Sequence, residues 1–236
     1  MIRHFTFLAL AASFGFSAGP AIAQDTSLSP ALENTAARNE QVRQLPIRVN
    51  MNMQEDKENI LLLDLSTGER VAIRLVPEWA PNHVERIKTL VRQGFYDGQI
   101  FHRVIDGFMA QTGDPTGTGT GGSTLPDLKA EFGKFPHLRG VVSMARAQSD
   151  DSANSQFFIV FYPRFSLDGK YSAFGRVTSG MEYVDMIARG EPPLNPSRIL
   201  QASIAADNKP PVLPGARSGL SEAPISVDDL NAPIQP

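Results

Sequence analysis

The stretch Phe101-His102-Arg103-Val104-Ile105-Asp106-Gly107-Phe108-Met109-Ala110-Gln111-Thr112-Gly113-Asp114 gathers several groups able to do chemistry. A strand over residues 100–105 places Phe101, Arg103 and Ile105 on one face and His102 and Val104 on the other. A guanidinium beside large apolar side chains is costly to hold there, because its five N–H donors need partners. Spacing alone leaves two readings open. Arg103 is either a structural residue bonded to a carboxylate or to backbone carbonyls, or a donor aimed at a ligand.

Other chemistries are disfavoured. The run from Gly113 to Gly122 is rich in glycine, but it lacks the Gly-Lys-Ser/Thr ending and the following helix of a phosphate loop. Positive backbone angles that let the chain turn sharply are the simpler explanation. Ser143 can be drawn with His102 and Asp106 as a hydrolase triad, yet no nucleophile elbow surrounds it. Histidines at positions 4, 83, 102 and 137 show no metal-ligand spacing, so neither a metal nor a cofactor is expected. The absence of cysteine removes disulfides, thiolate metal sites and thiol nucleophiles together. With 22 basic and 25 acidic residues the net charge is -3, too balanced for general nucleic-acid binding.

The elements that position these groups follow from periodicity. Residues 60–65 and 70–76 read as strands joined by a hairpin turn at Ser66-Thr67-Gly68-Glu69, with Gly68 supplying a positive φ. Over residues 81–92 the period becomes helical: Val84, Ile87, Leu90 and Val91 share a face, Pro81 suits the first turn, and Gly94 stops the helix. Short strands are expected at 100–105, 108–112, 141–146, 156–161 and 172–177, a second helix at 181–189 and a last strand at 199–205. Many short strands with only two helices imply an antiparallel barrel or sandwich, the helices serving as caps.

The ends read differently. Residues 1–23, with Arg3, an apolar run and Ala21-Ile22-Ala23, resemble a cleaved secretory signal. No stable membrane insertion is expected after cleavage, and an exported, cysteine-free chain fits a bacterial periplasm. Residues 24–58 form a polar leader with one alternating stretch, Ile47, Val49, Met51 and Met53, that fits an extra strand. Residues 207–236 carry six prolines and no apolar period, so a flexible tail is expected.

The central block, residues 59–206, is similar to the cyclophilin family of peptidyl-prolyl isomerases. The similarity rests on Phe101-His102-Arg103 through Gly122, Ser143-Met144-Ala145, Ser155-Gln156-Phe157-Phe158-Ile159, Leu167-Asp168-Gly169-Lys170 and Phe174-Gly175. It implies a mainly β fold, a closed eight-stranded antiparallel barrel capped by two α-helices, with the site in a surface groove. It also implies an enzyme that rotates X-Pro bonds in proline-containing segments of unfolded or exported proteins; a monomer is expected, on no motif of its own. Arg103 would be the catalytic group, and Phe108, Met109, Phe158 and Leu167 the walls of a proline pocket. Gln111, Gln156, Ala145 and the backbone of Arg146 would hold the peptide, with Tyr171 beside them where many members carry histidine. Ser166 stands at the place of a tryptophan in well-known members, with Phe165 adjacent. The alternative of another class is a non-catalytic proline-peptide binding or chaperone module.

Overall fold

The computed structural model describes Asn52 and residues 55–215. The signal segment, and all of the alternating stretch 47–53 except Asn52, lie outside the described residues. Eight strands form one antiparallel sheet: β1 (Ile60–Leu65), β2 (Arg70–Leu75), β3 (Arg103–Ile105), β4 (Met109–Thr112), β5 (Val141–Met144), β6 (Phe157–Val160), β7 (Ala173–Ser179) and β8 (Ile199–Ile204). Their order is β3-β4-β6-β5-β7-β2-β1-β8. Helix α1 (Pro81–Arg92) packs its buried Val84, Ile87, Leu90 and Val91 toward β7 and β8. Gly94, at φ +69°, ends the helical path where a side chain would be strained.

Strand alternation divides the side chains between two clusters. Leu61, Leu63, Leu65, Ile73, Leu75, Val104, Ala110, Val142, Met144, Phe157, Ile159 and Phe174 enter the main core. On the opposite face of the β4–β6 half, Met109, Phe158 and Val160 form a second cluster with Leu167.

Five expectations need correction. The sheet is an open half-barrel: β3 and β8 are its two edges and share no ladder. Three-residue β3 is too short to close it, and Phe101 is not part of that strand. Residues 98–101 turn away to bond the start of β8, through Gly98 N–H to Ile199 O (2.8 Å), Ile199 N–H to Gln99 O (2.9 Å) and Phe101 N–H to Ser197 O (2.9 Å). Phe101 therefore lies fully buried in the main core, away from Arg103.

Helix α2 spans only Met181–Asp185. Its next turn is lost because Ala188 N–H goes to Ser197 Oγ (3.0 Å) and the Arg189 guanidinium takes the carbonyls of Asp185 and Ile187. Gly68 has no positive φ. It is needed because a Cβ there would overlap the Tyr183 ring.

The segment following β8 is held at its start, although the sequence reads as a free tail from residue 207. Asp207 bonds Arg92, Lys209 O accepts from Arg70, and Val212 N–H donates to Asp64 Oδ2 at 2.8 Å. Asp64 is buried on β1 and already paired with Arg70, so the segment satisfies a carboxylate oxygen that water scarcely reaches. A chain ending at Ala206 is expected to melt about 3–6 °C below one ending at Gly215, having lost ~1–2 kcal/mol of polar contacts. Calorimetry of the two chains tests this, and equal melting temperatures would show that Asp64 needs none of the segment.

Candidate active site

The site is built on cross-strand register. Arg103 on β3 stands opposite Gln111 on β4, Gln111 opposite Phe158 on β6, and Phe158 opposite Ser143 on β5. The neighbouring row runs Ile105, Met109, Val160. Residues paired in this way share one face, so β3, β4 and β6 place a guanidinium, an amide and a phenyl ring in line on the outer side of the sheet. Loops supply the remaining walls: Phe108 from the β3–β4 turn, Ala145 and Arg146 after β5, Leu167 from a 3-10 turn at Phe165–Leu167, and Tyr171 before β7.

A cavity of about 340 Å³ is lined by Arg103, Phe108, Met109, Gln111, Ala145, Arg146, Phe158, Leu167 and Tyr171. Every residue expected at the site from sequence is therefore here except Gln156. Gln156 lines an adjoining cavity of about 520 Å³ with residues 119–123, Asp127, Ser152 and Asn154. The two cavities share Gln111, Ala145 and Arg146. The first combines Phe108, Met109, Phe158 and Leu167 with two guanidinia and an amide, and the second is built from polar side chains, glycine backbone and alanines.

Hydrogen bonds fix the polar groups. Gln111 Nε2 donates to Gln156 Oε1 (2.8 Å), and Gln156 Nε2 donates to Gly121 O (2.7 Å) and Gly119 O (3.1 Å). The glycine-rich loop is held in turn by Asp114, which accepts from Thr116 N–H and Oγ1–H (both 2.8 Å), Gly119 N–H (2.6 Å) and Gly121 N–H (3.2 Å). Burial alone would raise the Asp114 pKa, but these bonds outweigh it and bring it down to about 2. Gly113, at φ +90°, lets this loop cross the backbone of Ser155, where a Cβ would collide with the carbonyl oxygen. His102 lies buried beneath the loop with neither ring nitrogen hydrogen bonded. Burial lowers its pKa, partly opposed by Asp114, which favours a neutral imidazole.

Arg103 is bonded to a carboxylate, as one of the two readings of its spacing has it, and keeps further donors unengaged. Its Nε donates to Glu191 Oε2 at 2.6 Å, while its Nη groups have no hydrogen-bond partner among the described residues. Its side chain is 43% exposed at the mouth of the cavity. Arg146 is used differently. It stacks on the Tyr171 ring (4.9 Å to the centroid), donates to the carbonyls of Lys170, Ala147 and Gln148, and pairs with Asp150. Tyr171 then meets Phe158 edge to face at 5.7 Å between centroids. Phe165 is 63% exposed and outside the cavity lining, as is Ser166.

Ser143 does join a serine–histidine–aspartate chain, but with partners other than His102 and Asp106. Its Oγ lies 2.9 Å from His137 Nε2, and His137 Nδ1 lies 2.8 Å from Asp168 Oδ1. Ser143 and His137 are buried, and the chain reads as a structural tie. It anchors Asp168, next to Leu167, onto β5. His137 and Asp168 are 31 positions apart, a separation that carries no local signal of the pairing. Glu191 was likewise invisible in sequence, lying 88 residues beyond Arg103. Among the described residues no group of three or more His, Asp or Glu side chains could hold a metal, and no helix is long and apolar enough to cross a membrane.

Comparison with known proteins agrees with this geometry. Residues 62–204 match the family model for cyclophilin-type peptidyl-prolyl cis-trans isomerases. A probable peptidyl-prolyl cis-trans isomerase of Brucella suis is 49% identical over 170 residues, covering 65% of this chain and 86% of the relative. Peptidyl-prolyl cis-trans isomerase B of Bacillus subtilis is 44% identical over 129 residues, covering 54% of this chain and 89% of the relative. Among solved structures, a cyclophilin from Hirschia baltica superposes with a TM-score of 0.60 at 31% identity, covering 66% of this chain and 77% of that one. A Cryptosporidium parvum cyclophilin crystallised in the presence of the dipeptide Ala-Pro gives 0.58 at 28% identity, covering 61% of this chain and 98% of that one.

The depressed carboxyl of Asp114 sets an acid limit. Its folded pKa of about 2 lies below the ordinary 3.8, so its contribution is fully present above the ordinary value and is lost as pH falls toward 2. Asp114→Asn turns one acceptor into a donor facing backbone N–H groups and is expected to cost ~1–3 kcal/mol at neutral pH. Denaturant titrations across roughly pH 5 to 2 should show wild type losing more stability than the variant. Parallel curves would show that the loop does not depend on this charge.

Proposed function

The chain belongs to the cyclophilin-type peptidyl-prolyl cis-trans isomerase family, and on that premise we propose that it accelerates X-Pro rotation in proline-containing segments of exported proteins. The observation that carries the mechanism is that Arg103, its Nη groups without a partner among the described residues, lines a cavity together with Phe108, Met109, Phe158 and Leu167. An X-Pro amide resists rotation because its nitrogen lone pair is delocalised into the carbonyl, which gives a barrier of about 18–20 kcal/mol and spontaneous times of roughly tens of seconds. In the twisted transition state the lone pair sits on nitrogen and accepts a hydrogen bond. A guanidinium placed there stabilises the twisted amide more than the planar one, which is the differential binding that catalysis requires.

The remaining residues bind and orient. Phe108, Met109, Phe158 and Leu167 enclose the proline ring, which is apolar and rigid and loses little entropy on binding. Gln111, tethered through Gln156 to the glycine loop, offers an amide to the peptide beside Arg103. Ala145 and Arg146 contribute backbone along the same edge, in the wall common to both cavities. No bond to a protein atom forms and no proton is transferred, in keeping with a site made of Arg, Gln and apolar groups.

Export to a bacterial periplasm is part of the proposal. It is supported by the basic start, the apolar run and Ala21-Ile22-Ala23, and by a chain without cysteine.

Arg103→Ala is expected to lower kcat/KM for a proline peptide by roughly 10- to 1000-fold, the range of one charge-assisted bond in a shielded groove. The peptide Kd should stay within about threefold, since the donor acts mainly in the transition state. A protease-coupled or refolding assay with calorimetric binding measures both. No acceleration by folded wild type, with peptide still bound, would instead establish a non-catalytic proline-binding module.

A further inference from the structure

Arg103 projects from an edge strand, where nothing on its outer side belongs to the sheet. One backbone crossing compensates. Val104 N–H donates to Gly190 O (2.8 Å) and Gly190 N–H donates to Val104 O (2.9 Å), an isolated antiparallel bridge. That register sets residue 191 across from residue 103 just as Gln111 is set across from it on the inner side. Gly190 permits the crossing, for a Cβ at φ +143° would collide with the backbone of Pro192 and Pro193. Glu191, Arg103 and Gln111 thus stand in one row, with carboxylate and amide on either side of the guanidinium.

We infer that Glu191 is a positioning residue for the isomerase reaction, holding the Arg103 guanidinium through Nε so that its Nη edge faces the bound prolyl nitrogen. An arginine side chain has several soft torsions, and one half exposed at a strand edge samples many rotamers. The Nε–Oε2 bond of 2.6 Å removes most of that freedom and consumes only the donor that points away from the Nη edge. An exposed ion pair contributes little to stability, so the value of this one lies in orientation. The inference rests on Arg103 being the transition-state donor.

The experiment is a double-mutant cycle on the full chain with a proline peptide, measuring kcat by NMR exchange and Kd by calorimetry. Glu191→Ala is expected to lower kcat about tenfold, equivalent to ~1.4 kcal/mol, with Kd changed less than about twofold. Glu191→Gln, which keeps an acceptor, should recover part of that loss. In an Arg103→Ala background, Glu191→Ala should have no further effect. The Arg103 Nε–H resonance should be protected from water exchange in wild type and lose that protection in Glu191→Ala. A Glu191→Ala rate equal to wild type, an equal loss in the Arg103→Ala background, or an unprotected Nε–H in wild type would each overturn the positioning role. Full activity in Arg103→Ala alone would overturn the donor assignment, a distinct failure.

Discussion

Strands β4 and β6 each serve two hydrophobic clusters, and the rest of the site depends on their meeting that demand in one register. Ala110, Thr112, Phe157 and Ile159 face the main core, while Met109, Gln111, Phe158 and Val160 face outward. A slip of one residue would exchange the two sets, burying Gln111 in the core and exposing Phe157. The buried inner face therefore specifies the outer one. Arg103 needs no conformational preference of its own to meet Gln111 and Phe158. Core packing several ångströms away fixes the row in which it lies.

Around that row, polar contacts are spent on position. Asp114 shapes the glycine loop, the loop carbonyls orient Gln156, and Gln156 orients Gln111. On the far side Asp168, His137 and Ser143 pin the turn that carries Leu167. Each buried polar group in these chains has a partner, so the network can rigidify the site without a large desolvation penalty. Stiffness of this kind holds the donors and apolar walls of the cavity in a fixed pattern.

What the sequence made legible was local. Helix α1 was readable from a 3.6-residue period bracketed by Pro81 and Gly94, and β1 and β2 from apolar runs around a turn. The site residues could be named because family motifs carry them. Features that depend on distant partners left no trace. Residues 100 and 101 look as strand-like as β3 but bond to residues 197 and 198, and nothing local shows that the barrel stays open. Gly68 suggested a turn angle, whereas its real constraint is Tyr183, 115 positions away. The start of the proline-rich end lacked apolar period because its anchor is Asp64, a polar one.

The open sheet leaves β3 as an edge strand, and unfolded chains readily add themselves to such edges. Val104 is the β3 residue between the two that face β4, and both its N–H and its C=O are occupied by Gly190. A client segment therefore meets an edge already capped, and cannot be captured as a ninth strand by main-chain ladder bonds. The same cap that aligns Glu191 thus also removes a place where a second extended chain could add to the sheet.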